Sequence, residues 1–208
     1  ELGIYLNPLN SRLGSLPRMS INESQMLTYW LDKHDIIQKV GAGWDVFALA
    51  NGGQQTLEEQ VLGKRLWSFI NGSATRLWVD AVLNYARISG KVVEKRYRCD
   101  SATEKRFMLM RVIPHSTDLL EVQCNLEQEL PQQVRVEFEA KTRRIPSLKV
   151  RCSICNRIKI NAETWQEADE TVLKGELDNT APVKVIYGVC TDCQTAVKSL
   201  RPMSTQQA

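Results

Sequence analysis

The stretch Leu119-Leu-Glu-Val-Gln-Cys-Asn-Leu126 alternates apolar and polar side chains from its second residue onward. In an extended chain, one face of this stretch carries only apolar side chains: Leu120, Val122, Cys124 and Leu126. A period of two residues with a single apolar face predicts a β-strand buried on one side, as in an antiparallel sheet.

Two further strands are predicted just before this one, over residues 91–99 and 106–113. Polar segments at 100–104 and 115–118 separate the three strands, and Asp, Ser and Thr in such segments are typical of hairpin turns. The sequence therefore predicts a three-stranded antiparallel meander.

A helix is predicted before the meander, over residues 74–89. Apolar side chains recur there at three- and four-residue spacing and form one apolar face: Ala74, Leu77, Trp78, Ala81, Tyr85 and Ile88. Ser73 is suited to cap the N-terminus of this helix, and Gly90 follows its end.

Shorter elements precede the helix. Residues 35–40 predict a strand, residues 44–50 a short helix, and residues 61–70 another helical turn. The order of strand, short helices, long helix and meander predicts an α+β fold, with helices on one face of an antiparallel sheet. The first residues show no sustained period, and we interpret residues 1–25 as an N-terminal arm.

Four cysteines near the C-terminus form two Cys-x-x-Cys pairs, Cys152 with Cys155 and Cys190 with Cys193. This spacing lets both thiolates of a tight turn bind one ion, and two such turns provide the four ligands of a tetrahedral zinc site. The alternative is two redox pairs or unrelated core cysteines. Since four protein ligands close the shell, a zinc ion here is expected to be structural rather than catalytic.

Composition limits the class of protein. Of the 208 residues, 43% are hydrophobic and 25% are charged, as in an ordinary globular protein. No apolar run approaches the roughly 20 residues of a membrane-spanning helix, so we expect no membrane association. Cysteines in a thiolate metal pattern favour a reducing compartment, and we therefore expect the cytoplasm.

A basic segment precedes the cysteines. Within residues 141–151 there is no acidic residue, and the bases are Lys141, Arg143, Arg144, Lys149 and Arg151. The segment can contact phosphates or an acidic partner. We favour a solvated linker over that interpretation, because short basic runs have many uses and no aromatic residues are interleaved here.

Several motifs in the first part of the chain occur in a recognisable order: Trp30-Leu-Asp32, Gly43-Trp44-Asp-Val-Phe47, Val61-Leu-Gly63-Lys-Arg-Leu66-Trp67 and Arg98-Cys99-Asp100. Through them, residues 26–128 resemble a PAS-fold sensor domain. The resemblance implies a PAS-like antiparallel sheet and raises the chance that some core residues border a cavity for a small ligand, which the sequence does not identify. Neither His34 nor His115 falls on the long helix, where haem-binding PAS sensors place their ligand.

The last third is similar to the cysteine-rich tail that follows PAS domains in some bacterial signalling proteins. The matching residues are Cys152-Ser-Ile-Cys155-Asn-Arg157 and Tyr187-Gly188-Val-Cys190-Thr-Asp-Cys193. That motif usually has His where this chain has Tyr187. We expect a small zinc-ribbon-like or treble-clef-like module, with a strand over 183–189 that leads to Cys190 and a helix over 194–200.

The sequence divides into five predicted segments: an arm (1–25), a PAS-like domain (26–128), a basic linker (129–149), a four-cysteine zinc module (150–202) and a tail (203–208).

We expect no enzymatic activity, because neither an activated nucleophile nor an open metal site is visible. The favoured function is a bacterial signalling or regulatory protein that binds a protein partner, with homodimerisation as an option. The alternatives are a nucleic-acid-binding regulator, which we do not favour, and a thiolate-based redox or zinc switch.

Overall fold

The computed structural model describes residues 26–50, 53–141 and 147–198. The predicted arm, residues 1–25, lies outside the described residues, as do residues 142–146 of the basic segment and the predicted tail 203–208. Among the described residues, no helix is long and apolar enough to cross a membrane.

The first half of the chain forms a five-stranded antiparallel sheet in the order β2-β1-β5-β4-β3. Its strands are β1 (Leu27–Asp32), β2 (Ile37–Val40), β3 (Val93–Arg98), β4 (Glu104–Ser116) and β5 (Leu119–Pro131). In β5, Leu120, Val122 and Cys124 are buried, which confirms the alternation that predicted this strand. The meander of β3, β4 and β5 is the predicted one, with β4 and β5 longer and β3 shorter than predicted.

Helices connect β2 to β3 and cover one face of this sheet. They are α1 (Trp44–Ala50), α2 (Glu58–Val61) and α3 (Ser73–Ser89), with 3-10 turns at Gln54–Thr56 and Leu66–Phe69. The architecture is therefore the predicted α+β class with a PAS-like antiparallel sheet. The prediction for residues 44–50 matches α1.

The buried face of α3 differs from the predicted one. Leu77 is 71% exposed and Ile88 is 85% exposed, whereas Val79, Val82 and Leu83 are buried. Trp78 of the predicted stripe is buried and Tyr85 packs against the core, but apolar residues occur around most of this helix, so spacing alone placed part of the stripe on the exposed side. The N-terminal cap also differs: Gly72 occupies that position and Ser73 is already helical. Gly90 ends the helix in the left-handed conformation, as predicted.

The second half forms another five-stranded sheet, in the order β6-β10-β7-β8-β9. Its strands are β6 (Phe138–Ala140), β7 (Lys149–Cys152), β8 (Ile158–Lys159), β9 (Trp165–Gln166) and β10 (Val183–Gly188). Two helices accompany them, α4 (Ala168–Leu173) and α5 (Thr191–Lys198). β10 runs parallel to both β6 and β7, whereas β7, β8 and β9 are antiparallel.

The segment between the two sheets is more ordered than a solvated linker. Val136 and Phe138 are buried, and β6 pairs with β10. In the basic segment, Arg151 is only 3% exposed, and its guanidinium carbon lies 3.9 Å from the ring centroid of Phe138. Arg151 is therefore a structural cation, and the interpretation of the whole basic segment as solvated is wrong at this position.

The main hydrophobic core extends beyond the first sheet. It is formed by the buried faces of β1–β5 and α3, and it also includes Cys152, Ile154 and Cys190. A smaller core lies within the second sheet around Val136, Ile158 and Val185. The cysteine-bearing turns thus pack against the first sheet rather than forming a separate core.

Candidate metal centre

Two segments of the second sheet bring the four cysteines together. β7 ends at Cys152, and the turn into β8 carries Cys155. β10 leads to Cys190, and Cys193 lies in the first turn of α5. Since β7 and β10 are parallel neighbours with Gly188 opposite Cys152, both Cys-x-x-Cys pairs lie at the same end of the sheet.

The turn after β7 is held by backbone hydrogen bonds. The amide of Asn156 donates to the carbonyl of Cys152 at 3.0 Å, and the amide of Cys152 donates to the carbonyl of Arg157 at 2.8 Å. Asn156 has φ +62°, a left-handed conformation that asparagine tolerates better than most residues. The amide of Ser153 donates to the carbonyl of Gly188 at 2.8 Å, which ties the turn to β10.

The sulfur geometry suits one tetrahedral ion. The Sγ atoms of Cys152, Cys155, Cys190 and Cys193 all lie within 4.8 Å of one another. The Sγ atoms of Cys155 and Cys190 are 3.7 Å apart. A tetrahedral ion with metal–sulfur bonds of about 2.3 Å places its sulfur ligands about 3.8 Å apart. The four cysteines can therefore hold a metal ion with little rearrangement.

Backbone amides point at the sulfurs. The amide of Cys190 lies 3.4 Å from Sγ of Cys152, and the amide of Cys193 lies 3.5 Å from Sγ of Cys190. Such N–H donors stabilise thiolates over thiols. Cys152 and Cys190 are almost fully buried, while Cys155 and Cys193 are half-buried, so one side of the cluster is sealed and the other is near the surface.

A side-chain cation also contacts the cluster. Arg157 donates from Nε to Sγ of Cys155 at 3.2 Å and from Nη2 to Sγ of Cys190 at 3.6 Å. Its Nη2 also donates to a carboxylate oxygen of Asp192 at 2.7 Å, which orients the guanidinium. The sequence motif contained Arg157 but gave no sign that its charge would contact the sulfurs.

The pKa values of Cys152, Cys155 and Cys193 are shifted in different directions. Hydrogen bonds from Cys152 and Cys193, with a further contribution from Arg157, hold the pKa of Cys155 far below its usual value. The hydrogen bond with Cys155 raises the pKa of Cys152 to about 11, and hydrogen bonds with Cys152 and Cys155 raise that of Cys193. A bound cation replaces the remaining protons, so metal binding releases protons and is favoured by rising pH.

The other two cysteines belong to the core of the first sheet. Burial raises the pKa of Cys99 to about 12 and that of Cys124 to about 11. Both thiols are protonated and shielded from solvent, which makes them unreactive. This agrees with the interpretation of Cys124 as a buried core thiol.

Tyr187, where the related tail motif has His, contacts the first half of the chain. A Cβ atom built on Gly72 would lie 3.2 Å from Cβ of Tyr187. Gly72 precedes α3 and Tyr187 lies in β10, so this contact joins the start of the long helix to the strand that leads to Cys190.

A buried ion-pair network joins the two sheets near the metal centre. The backbone amide of Arg98, at the end of β3, donates to the carbonyl of Ile154 at 2.7 Å. The guanidinium of Arg98 contacts Asp100 at 2.7 Å and Glu167 at 3.1 Å, and the Arg98 and Asp100 side chains are 8% and 5% exposed. Sequence reasoning missed this network, because its members are distant in the chain and no local pattern marks them.

The core of the first sheet contains a small apolar cavity of about 40 Å³. Its lining includes Trp44, Phe69, Trp78 and Met110. Trp44 donates from its indole nitrogen to the carbonyl of Thr56 at 2.7 Å, so its polar atom is satisfied. The cavity is much smaller than the roughly 300–1,000 Å³ of sites that enclose drug-sized ligands.

No protein-family model matches the sequence, and no curated protein is similar enough to count as a relative. Among solved structures, a domain of an HTR-like protein from Haloarcula marismortui ATCC 43049 is 14% identical, with a TM-score of 0.37, and the match covers 50% of this chain and 99% of that one. The PAS domain of the RpfR quorum-sensing receptor from Cronobacter turicensis is 16% identical in two complexes. The TM-score is 0.39 with BDSF and 0.40 with C12:0, and each match covers 52% of this chain and 100% of that one.

Proposed function

We propose that this chain is a non-enzymatic bacterial regulatory protein of the cytoplasm, in which a PAS-like sensing or association domain is coupled to a structural zinc module that binds a protein partner. One observation carries the proposal: four cysteine sulfurs lie within 4.8 Å of one another, on turns that pack into the core of the first sheet. A site built in this way links metal binding to the state of the sheet.

The donor set favours zinc. Four thiolates in a tetrahedral arrangement suit Zn²⁺ or an iron–sulfur centre, and isolated Cys₄ turns of this kind are typical of structural zinc. The four sulfur ligands leave no position for water or substrate, which supports a structural role over catalysis. Buried Cys152 and Cys190 and the amides directed at their sulfurs also favour a permanent ion.

The contacts between the halves support coupling. Ile154, between the first two cysteines, accepts a hydrogen bond from the amide of Arg98 and packs in the main core. A change in the metal centre that displaces this turn would therefore be felt at a residue that is hydrogen-bonded to β3. Conversely, a change in the sheet that shifts β3 alters the turn that carries Cys155.

The proposal includes a ligand in the sheet domain only if that ligand is small enough to fit the cavity. A space of about 40 Å³ admits a few atoms, so a larger ligand requires the helices to move away from the sheet. We therefore place the main function in association with another protein, and homodimerisation remains an outcome that the experiment below reports.

The test is metal content by elemental mass spectrometry on the purified full chain, combined with its visible spectrum. We expect one zinc per chain and a colourless solution. Replacing zinc by Co²⁺ should give the intense visible bands of tetrahedral thiolate coordination. Cys152→Ser should lose the metal, whereas the matched control Cys124→Ala removes a buried thiol outside the cluster and should retain it. Light scattering on the same sample gives the oligomeric state.

Absence of zinc, or retention of zinc by Cys152→Ser, would refute the structural metal module. Rapid and reversible release of zinc on mild oxidation would instead favour a thiolate switch. A brown solution that contains iron would indicate an iron–sulfur centre and electron transfer.

A further inference from the structure

The outer edge of β3 borders an open groove. Four consecutive strand residues line it, Lys95, Arg96, Tyr97 and Arg98, and its opposite wall is formed by Ile154, Cys155 and the start of α5. Successive residues of a strand face opposite sides of the sheet, so a groove lined by all four runs along the strand edge. Its volume is about 420 Å³, within the roughly 300–1,000 Å³ of ligand-binding clefts.

The edge carries backbone groups in the orientation that a sixth strand needs. β3 is the last strand of the sheet, and among the described residues it pairs only with β4. The amide of Arg98 points outward, since it donates to Ile154, whereas the amide of Cys99 donates inward to Arg106. In an antiparallel pair this alternation continues along the strand, so the amides and carbonyls of Arg96 and Glu94 also point outward.

The turn between Cys152 and Cys155 already occupies the first position of such a strand. The carbonyl of Ile154 accepts the Arg98 amide at 2.7 Å and then the chain turns away toward Arg157. Next to Arg96 the edge is open to the groove. An extended segment that enters there would continue the hydrogen-bonding pattern that Ile154 begins.

The charges in the groove select the chemistry of that segment. Arg98 is paired with Asp100 and Glu167, Arg96 with Glu127, and Asp192 with Arg157. Among the described residues, Lys95 has no ionic partner, although it is half-buried and its pKa is lowered by desolvation. Lys95 is therefore the cation among the described lining residues that a partner can pair with, and a single carboxylate suits it, since the thiolates of Cys155 and Cys193 make the opposite wall negative.

We propose that this groove binds an extended segment of a partner protein that carries one carboxylate, which adds as a sixth strand to the outer edge of β3 and places that carboxylate against Lys95. The site deepens the proposed function, since it names the surface and the chemistry of the partner and uses the metal-bearing turn as one wall.

The test uses the full chain with zinc bound and a synthetic peptide, acetyl-Thr-Val-Glu-Val-Thr-amide. Two matched peptides accompany it: one with Gln in place of Glu, and one N-methylated at alternate residues, which cannot form the strand hydrogen bonds. Binding is followed by peptide titration and by amide hydrogen exchange in NMR spectra. We expect the Glu peptide to bind at millimolar concentration or below and to slow exchange at Glu94 and Arg96 specifically.

Two protein variants separate charge from backbone pairing. Lys95→Gln should remove the preference for Glu over Gln, which we expect to be about tenfold, while Lys91→Gln, an exposed lysine before β3, should leave it unchanged. Arg96→Pro removes one outward amide without touching the pairing with β4, and it should weaken binding more than Arg96→Ala does.

Four outcomes would overturn the inference. They are the absence of any exchange protection by the peptide, equal binding of the N-methylated peptide, an undiminished Glu preference in Lys95→Gln, and protection of the edge that rises with protein concentration alone. The second indicates a small-anion pocket and the last a second copy of this chain. Metal content measured on the same sample shows whether the zinc module itself is intact, so failure of the docking site is distinguishable from failure of the proposed function.

Discussion

Nε of Arg157 lies 3.2 Å from Sγ of Cys155, so a guanidinium cation contacts one of the four clustered sulfurs directly. Four thiolates around a divalent ion carry an excess of two negative charges. Arg157 offsets part of this excess on the half-buried side of the cluster, where its position is fixed by Asp192. It is thus a positioning and charge-balancing residue for the metal centre.

Arg157→Gln should weaken zinc binding by about 10- to 100-fold, since outer-shell partners of metal ligands typically contribute that much. The variant keeps a hydrogen-bond donor but removes the charge. The measurement is competition for zinc with a chromogenic chelator at fixed pH. Arg135→Gln is the matched control, because Arg135 pairs with Glu137 on the surface, away from the cysteines. Equal zinc affinity in the two variants would show that the Arg157 charge is irrelevant to the centre.

Removing the metal should destabilise the first sheet as well as the cysteine-bearing turns. Cys152, Ile154 and Cys190 belong to the predicted zinc module (150–202), and all three are part of the main core. Without the ion, the turns that carry these residues lose their cross-link and the core loses one wall. We expect faster amide exchange in β3 and β4 after chelation.

The control for that experiment is β2, which lies at the opposite edge of the first sheet from β3. If chelation accelerates exchange only around the cysteines and leaves β3 unchanged, the two halves are energetically independent. In that case the contact between Arg98 and Ile154 transmits nothing, and the coupling in the proposed function fails.

How much could be predicted from sequence depends on whether the pattern was local. The meander was predicted because a period of two residues in one strand is sufficient to identify its buried face, as Leu120 and Val122 show. The buried face of α3 was predicted only in part, at Trp78, because Leu77 and Ile88 are as apolar as the residues that pack inward, and only the sheet beneath the helix decides between them.

The candidate site shows the same difference between features set by local sequence and features set by tertiary packing. Cysteine spacing predicted which four sulfurs would converge, since the Cys-x-x-Cys turns are local structures. The contact of Arg157 with Cys155 depends on the turn conformation at Asn156, and the contact of Arg98 with Glu167 joins residues that are far apart in sequence. Such contacts arise from tertiary packing and leave no periodic signal.

We expect the contact that Asp169 makes between the two halves to be sensitive to acid. Its buried carboxylate accepts from Nζ of Lys105 at 2.8 Å and from the amide of Gln133 at 3.0 Å. Burial acts to raise the pKa of Asp169, but the hydrogen bonds from Lys105 and Gln133 outweigh it and hold the pKa below its usual value. The contribution to stability is therefore complete above the unfolded pKa of about 3.9 and is lost as the pH falls through the folded value.

Asp169→Asn should lower the free energy of unfolding at neutral pH by about 1.5–3 kcal/mol, the usual contribution of a charged hydrogen bond. The difference from the unmodified chain should shrink on acidification below about pH 4. Urea unfolding at a series of pH values measures both effects. Asp118→Asn, in the exposed turn between β4 and β5, is the control and should cost little. A destabilisation that does not change with pH would mean that the ionised form of Asp169 contributes nothing.

Gly72 lies at a close approach between the start of α3 and the strand that leads to Cys190. It has φ +81°, where side chains are strained, and an added Cβ would lie 3.2 Å from Cβ of Tyr187. Gly90, at the other end of α3, also has positive φ, +63°, but an added Cβ there meets nothing within 4 Å. Comparing substitutions at the two glycines therefore distinguishes the effect of backbone strain from the effect of contact with the second sheet.

Gly90→Ala should cost about 1 kcal/mol, the strain of a left-handed alanine. Gly72→Ala should cost at least about 2 kcal/mol, because strain and the contact with Tyr187 act together. Only Gly72→Ala should also speed the release of zinc to a chelator, since displacement of Tyr187 shifts the end of β10 toward Cys190. If both variants lose the same stability and release zinc at the same rate, the helix start and the metal centre are not joined through Tyr187, and coupling must run through the other contacts between the halves, such as that of Arg98 with Ile154.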